Sequence, residues 1–434
     1  MFRPTDFLLQ ECENVRNLLR NTLRYAYSSK SSNDVYTECV ARLELLEAGF
    51  RTLEDDDVDE LQEYWFQLSK LSKLVGRIER SHIEEFSWPF AQALQALAIR
   101  VCAGTGVEPD KPLFFISADD ELSSYQVDTE QNEPGLIKRP LFNIIFPRSL
   151  KNSVLLHPIL GHEVGHAAFA IPMLFAELKA AVVDKLVTNS PLADRSKFEQ
   201  WIACVTNGTD PDFDLDEALL LWPEELYCDL FGLLMMGPSY VGAHCSLLLP
   251  FDMKEASGSH PPGLTRRWML NEAVATLKWK KNLAGDSALS QPVKSYFSSL
   301  TKTATKANRD FRLLDPRQIR LALNALTEFL KPMGPAICDL PSIRLLKSMV
   351  SRLLTARPPV ASSVSASLQI SNEFVDFRWI LFAGWLAWHS EQRRKEDLTF
   401  TNLNLLCDRG IQLQTAVDCW AAHKQPGKSV SANN

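Results

Sequence analysis

Two stretches decide how this chain is read: Gly161-His162-Glu163-Val164-Gly165-His166 and, further on, Trp222-Pro223-Glu224-Glu225-Leu226-Tyr227-Cys228-Asp229-Leu230-Phe231-Gly232. The first places two imidazoles four residues apart, one turn of an α-helix, so both lie on one face and can reach a single ion. Glu163 follows directly after the first of them. A hydrolytic zinc ion takes three protein ligands and keeps one position for water, whose proton it labilises near neutrality, and a nearby carboxylate accepts that proton. The histidines must bind as neutral imidazoles. By average residue usage, on the order of one unrelated chain in a hundred of this length shows His-Glu-x-x-His by accident. The pentapeptide alone therefore leaves open a helix whose two histidines are merely capped or solvated.

The second stretch resembles the Glu-x-x-x-Asp helix of gluzincin peptidases, with Glu225 standing 59 residues after His166 in the place of their third zinc ligand. Asp229, one turn on, matches the aspartate that in that pattern hydrogen-bonds a metal-bound histidine, fixing its tautomer and raising its basicity. Glu224 rivals Glu225, but only Glu225 has an aspartate four residues later. Downstream, Ser259-His260-Pro261-Pro262-Gly263-Leu264-Thr265-Arg266 resembles the Ser/Thr-His-Pro-Pro segment of HtpX-type and CAAX-prenyl-type metallopeptidases, with an arginine six residues after its histidine. The pieces stand in that family's order and cover residues 140–268.

The resemblance implies a zincin-like core that holds one zinc ion on His162, His166 and Glu225, with Glu163 as catalytic base. It also puts His260 near the metal, as a catalytic group that stabilises an oxyanion, and sets Asp229 and Arg266 around the ligands, Arg266 anchoring its own segment. Tyr227 and Tyr240 are lesser candidates. Taken without the resemblance, His260 is a turn histidine ahead of two prolines and Arg266 an ordinary residue of a first helical turn. His157 lies off the face of His162 and directly before Pro158, which points to a loop or capping role, and His244 has no partner legible in the sequence. The chain lacks the transmembrane helices of the membrane families it resembles and adds helical regions on both sides, which puts their substrates, not the implied chemistry, in doubt.

Working outward, Pro158 suits a first helical turn, and an apolar pattern runs from Ile159 to Ala170, where Pro172 interrupts it. A second helix is expected over Pro223–Met236, stopped by Gly237 and Pro238. Upstream, residues 112–117 and 140–146 read as short strands, the later one either buried or an edge that captures an extended peptide by strand addition. From Phe7 to Ala103 apolar residues recur at helical steps, as in Leu43, Leu46 and Phe50 or Leu68, Leu71, Leu74 and Ile78, and the texture changes at residues 104–106. After Arg267 the pattern is again helical, interrupted by a Pro/Ser-rich stretch at 357–366. The expected fold is mainly α with a small β-sheet (α+β): a helical region over 1–105, a zincin-like core over 106–275, a helical region over 276–423 and a disordered tail over 424–434.

Composition bounds the partners. The net charge of −7 over 434 residues gives no cationic field for nucleic acid. Basic residues gather between Lys278 and Arg320 (Lys280, Lys281, Lys294, Lys302, Lys306, Arg309, Arg312 and Arg317 among them) with Trp279 and Phe297 interleaved, a run whose alternatives are contact with an acidic partner or nucleic acid and, more commonly, a solvated helix face. The aromatic stripe from Phe374 to Trp388 reads as core. The N-terminus lacks the apolar run of a secretion signal, no window is a membrane span, and nine scattered cysteines, with Cys102, Cys204 and Cys419 inside apolar helical patterns, fit reduced thiols in a cytoplasmic protein. The functional expectation is a zinc metallopeptidase acting on a protein or peptide, with a protein partner accommodated by the flanking helices. The alternative is a zinc-binding scaffold, or a regulatory or sensor protein with little or no proteolytic activity; Glu163 argues against it, because a structural zinc site needs no such carboxylate.

Overall fold

The computed structural model describes residues 4–22, 30–53, 58–80, 88–103, 112–119, 125–130, 141–205, 213–248, 256–301, 311–334, 336–360 and 375–423. The expected tail, the glycine pair at 104–106, most of the Pro/Ser-rich stretch and Lys302, Lys306 and Arg309 lie outside those residues. The chain divides into two compact units, Met1–Lys151 and Asn152–Asn434.

In the first unit, helices α1 (Pro4–Thr22), α2 (Lys30–Phe50), α3 (Val58–Arg80) and α4 (Trp88–Ala103) precede strands β1 (Leu113–Asp119), β2 (Gln126–Glu130) and β3 (Leu141–Pro147). Leu8, Cys12, Val15 and Leu19 of α1 interlock with Leu43, Leu46 and Phe50 of α2 and Leu68, Leu71 and Leu74 of α3, so the helical spacing seen in the sequence is the core face. The strand order is β1-β3-β2, with β1 parallel and β2 antiparallel to β3. β3 is thus hydrogen-bonded on both sides. Of the two alternatives for this strand, the buried one is observed and the free edge is not, since its backbone groups are already paired. The sequence reading also omitted β2, whose Gln126-Val127-Asp128-Thr129-Glu130 carries only one apolar residue. The strands fall in the same unit as the N-terminal helices, whereas the change of texture at 104–106 suggested a boundary between them.

The second unit holds α5 (Leu160–Ala170), α6 (Pro172–Leu178), α7 (Asp184–Val187), α8 (Arg195–Val205), α9 (Leu215–Met236), α10 (Pro238–Leu248), α11 (Gly263–Leu277), α12 (Trp279–Leu283), α13 (Ser287–Thr301), α14 (Pro316–Leu330), α15 (Ile343–Leu354), α16 (Phe377–Trp388), α17 (Glu391–Lys395) and α18 (Phe400–His423). No single described helix is long and apolar enough to cross a membrane. On α16, Phe382 and Trp385 are buried and Trp379 and Trp388 half-buried, so the aromatic stripe is core. The indole of Trp385 donates to the Leu155 carbonyl (3.0 Å), and Asn404 of α18 accepts from the Leu155 amide (2.9 Å). Both bonds fix the segment that leads into α5.

Three local expectations change. Pro158 sits in a separate buried turn, His157–Ile159, that hands over to α5 at Leu160. α9 begins at Leu215 rather than at Pro223, because Asp214 caps it by accepting from the Glu217 amide (2.9 Å) and Asp216 and Glu217 favour its first turn. Pro223 lies inside the helix, where its missing N–H and its ring are tolerated with Trp222 and Pro223 both buried. Cys204 is exposed rather than packed, since α8 turns Phe198, Ile202 and Val205 inward. Lys278, Lys280, Lys281 and Lys294 are exposed while Trp279 and Phe297 are buried, so the aromatic rings do not share a surface with the charges.

Candidate metal centre

Glycines set the distance between the two helices that matter. A Cβ on Gly161 would stand 2.6 Å from Met236 Cγ and 3.1 Å from Gly232 Cα; one on Gly165 would stand 3.1 Å from Cys228 Cα. On Gly232 it would meet the Tyr240 ring at 2.5 Å and the His162 amide nitrogen at 3.0 Å. With no side chains between them, α5 and α9 pack backbone to backbone, which brings Glu224 and Glu225 opposite the two histidines. α9 ends at Gly237, whose φ of +65° suits a residue without a Cβ. The Met235 carbonyl near that end accepts from the buried Arg378 (2.6 Å), which is paired in turn with Asp376.

His162 and His166 turn their Nε2 atoms toward each other, 3.1 Å apart. Glu225 closes the triangle, Oε1 lying 3.1 Å from His166 Nε2 and Oε2 lying 3.4 Å from His162 Nε2. The edge of a tetrahedron around zinc is about 3.3 Å for ligand bonds of roughly 2.0–2.1 Å. The separations of 3.1, 3.1 and 3.4 Å lie close to that edge, with a different oxygen of Glu225 facing each imidazole. Glu225 Oε2 is buried and accepts no hydrogen bond among the described residues. Two imidazole nitrogens at this distance repel unless a proton or a cation sits between them. These residues form a buried group that fits a metal ion.

Each histidine is oriented from behind. His162 Nδ1 lies 3.1 Å from Asp229 Oδ1, and His166 Nδ1 lies 2.7 Å from Glu224 Oε1. A carboxylate on Nδ1 fixes the tautomer that leaves Nε2 as the metal-binding atom. Asp229 is itself held on several sides: Arg266 donates through Nε (2.8 Å) and Nη2 (2.7 Å), and Tyr240 donates its hydroxyl (2.8 Å). His244 Nε2 approaches to 3.3 Å without a hydrogen-bonding geometry. Arg266, expected to anchor its own segment, thus reaches back to Asp229 and lies 3.5 Å from Glu225 Oε2. Tyr227 is buried between the rings of Phe169 and Phe231.

Electrostatics follow from these contacts. Burial raises the Glu225 carboxyl, but His162, His166 and Arg266 outweigh it and hold it well below the ordinary range. Asp229 is likewise depressed, Arg266 and His244 overcoming its burial. Burial opposes charge on His162, yet Glu225 and Asp229 leave it above its usual value. For His166 burial is outweighed by Cys228, Glu224 and Glu225, and it stands well above. The cluster concentrates negative charge on two imidazoles and so attracts a cation, whether proton or metal. Burial pushes the His244 imidazole below its usual value.

Glu163 is buried beside this group, with no hydrogen bond among the described residues, and burial raises its carboxyl against the pull of His162 and His166. His260 comes from a tight loop: its amide donates to Ser257 Oγ (3.0 Å), its Nδ1 meets Ser259 Oγ at 2.8 Å, and its Nε2 lies 3.7 Å from Glu225 Oε2 with the side chain 56 % exposed. The first half of α9 carries that loop, since Trp222 Nε1 donates to the Ser257 carbonyl (3.0 Å) and a Cβ on Gly258 would strike Glu217. The residues expected at the site therefore converge. Sequence reasoning missed Glu224 as the orienting partner of His166, a role hidden behind its treatment as a rival ligand, and the contacts of His244, to which no sequence signal pointed. The chain matches no family model, no curated protein and no solved structure, so the site is read from its own residues.

Proposed function

We propose that the chain is a zinc-dependent metallopeptidase of gluzincin type that hydrolyses peptide bonds in a protein or peptide substrate. The observation that carries this reading is a group of three residues that fits a metal ion, His162, His166 and Glu225, with the carboxylate of Glu163 buried beside them and making no hydrogen bond among the described residues; a three-ligand set with a nearby carboxylate supports a catalytic site over a four-ligand structural one. Zinc bound there supplies a Lewis acid and lowers the pKa of water toward neutrality. Glu163 accepts the proton of the attacking water and returns it to the leaving amine, a role for which its buried position beside two imidazoles suits it. His260, exposed at the rim and held by Ser259, donates toward the oxyanion of the tetrahedral intermediate. Asp229 and Glu224 keep both imidazoles in the tautomer that presents Nε2, and Arg266 with Tyr240 keeps Asp229 in place.

The test is elemental analysis together with one substitution. The protein should carry about one zinc per chain. Glu163→Gln should keep its zinc and its urea midpoint while losing peptide cleavage by at least the roughly 10²–10⁴-fold expected of a general base. Inertness of the wild-type protein toward broad peptide libraries, with zinc bound, would replace this reading with the scaffold or sensor alternative.

A further inference from the structure

His166 has a second nitrogen, and it too stands among metal-binding groups. Nδ1 is 2.7 Å from Glu224 Oε1, and the sulfur of Cys228 joins them, all three ligand atoms lying within 4.8 Å of one another. We propose that this face of His166, with Glu224 and Cys228, is a second metal site, selective for thiophilic dications such as cadmium or zinc in excess.

The donor set is one imidazole nitrogen, one carboxylate and one sulfur, a combination that suits borderline and soft ions and not magnesium or calcium. Its geometry is built in: α9 presents Glu224 and Cys228 four residues apart, on one face, and the close approach at Gly165 brings α5 down upon Cys228. Access is from one side. The His166 and Glu224 side chains are 22 % and 26 % exposed, while Cys228 is fully buried as the floor. An ion entering here with the first site filled makes the imidazole a bridge. The ring's remaining proton and the thiol proton both leave to solvent, and the ion forms bonds to nitrogen, sulfur and oxygen in their place. That displacement and the repulsion between two dications make the second site weaker than the first. Filling it takes Glu224 from its orienting role behind His166. The proposal rests on the His162–His166–Glu225 metal site and not on the peptidase reading.

The test titrates metal-free full-length protein, carrying Cys204→Ser and Cys419→Ser so that neither thiol contributes, with cobalt and with cadmium. Cobalt reports thiolate ligation by a near-ultraviolet charge-transfer band, and equilibrium dialysis with elemental analysis counts ions. The first equivalent should bind without the band and the second should bring it. Cys228→Ser should remove both band and second equivalent while retaining the first, and Glu224→Gln, at a partly exposed position, should weaken the second equivalent about tenfold more than the first. A stoichiometry of one throughout, or a band that survives Cys228→Ser, overturns the proposal. So does a band arriving with the first equivalent, which would place the principal ion at Cys228. Absence of any tight first equivalent in Cys228→Ser would instead count against the His162–His166–Glu225 site, and the two failures are told apart by that variant.

Discussion

Replacing Asp229 by asparagine tests the layer behind the ligands. Asparagine keeps the shape but removes the charge from a group that receives two bonds from Arg266 (2.8 and 2.7 Å), one from Tyr240 (2.8 Å) and the contact with His162 Nδ1 (3.1 Å). It leaves Arg266, whose side chain is 8 % exposed, without its carboxylate. Breaking a buried pair in this way costs about 3–5 kcal/mol, against a total stability of roughly 5–15 kcal/mol. Asp229→Asn should therefore fold but unfold at markedly lower urea. Zinc affinity should fall about 10–100-fold, or roughly 1.4–2.7 kcal/mol, because the acceptor behind His162 loses its charge. Arg266→Met should be destabilising alone, and the double variant should be more stable than the sum of the singles requires, by a coupling within about 0.5–3 kcal/mol. The assays are urea unfolding of metal-free protein and competition for zinc against a chelator of known affinity. Additivity within about 0.5 kcal/mol, or an unchanged zinc affinity in Asp229→Asn, would refute the account of Asp229 as the link between Arg266 and His162.

Other outcomes follow from the same geometry. Glu225→Ala should lose stoichiometric zinc while Glu224→Ala retains it with affinity lowered by about tenfold, as dialysis and elemental analysis would show; the reverse pattern would exchange ligand and orienting roles. Gly232→Ala adds a Cβ 2.5 Å from the Tyr240 ring and 3.0 Å from the His162 amide nitrogen, so it should cost about 1–3 kcal/mol in urea unfolding and weaken zinc binding, whereas a neutral result would mean that α5 and α9 separate freely. In metal-free protein the depressed Asp229 and Glu225 contribute stability that is present above their unfolded values of 3.8 and 4.5 and is lost as pH falls through their lower native ones. The raised His162 and His166 contribute stability present below 6.5 and lost as pH rises through their higher native values. Thermal unfolding without metal should therefore peak in mildly acid solution, and saturating zinc should remove the alkaline decline. A metal-free melting temperature that climbs steadily from pH 6 to pH 9 would contradict these signs.

The helix periodicity of the first unit was legible because it depends on spacing alone, and Leu43, Leu46, Phe50, Leu68, Leu71 and Leu74 form the core it forecast. The three-strand order was not, since pairing is a tertiary choice and Gln126–Glu130 carries no apolar alternation. α9 starts at Leu215 and not at Pro223 because the Asp214 side chain caps it and Pro223 is carried inside the helix. At the site, His162, Glu163 and His166 share one helix and follow from its pitch. Glu225 and Asp229 came by resemblance, and what puts them opposite the histidines is the trio of Gly161, Gly165 and Gly232, none of which carries a chemical signal of its own. His244 was unreadable for a related reason: it meets Asp229 only because Gly237 turns the chain from α9 into α10.

That dependence on close packing separates what makes the site bind a metal from what makes it act. Binding needs the glycine contact, the ligand atoms and the carboxylates behind them, and the carboxylates behind the ligands are held by hydrogen bonds within the fold, while Glu225 Oε2 accepts none among the described residues. Glu163 contributes to none of it. Burying a carboxyl without a hydrogen bond costs folding energy, and burial has already raised this one, so a protein that used the cluster only as a structural clamp would be more stable with an apolar residue at 163. The sequence accepts that cost beside His162 and His166, where the proposed function gives the carboxylate its use as a base. Glu163→Leu should accordingly be neutral or stabilising toward urea while abolishing cleavage. A large loss of stability in that variant would mean that Glu163 supports the fold, and the reasoning from its idleness to catalysis would fail.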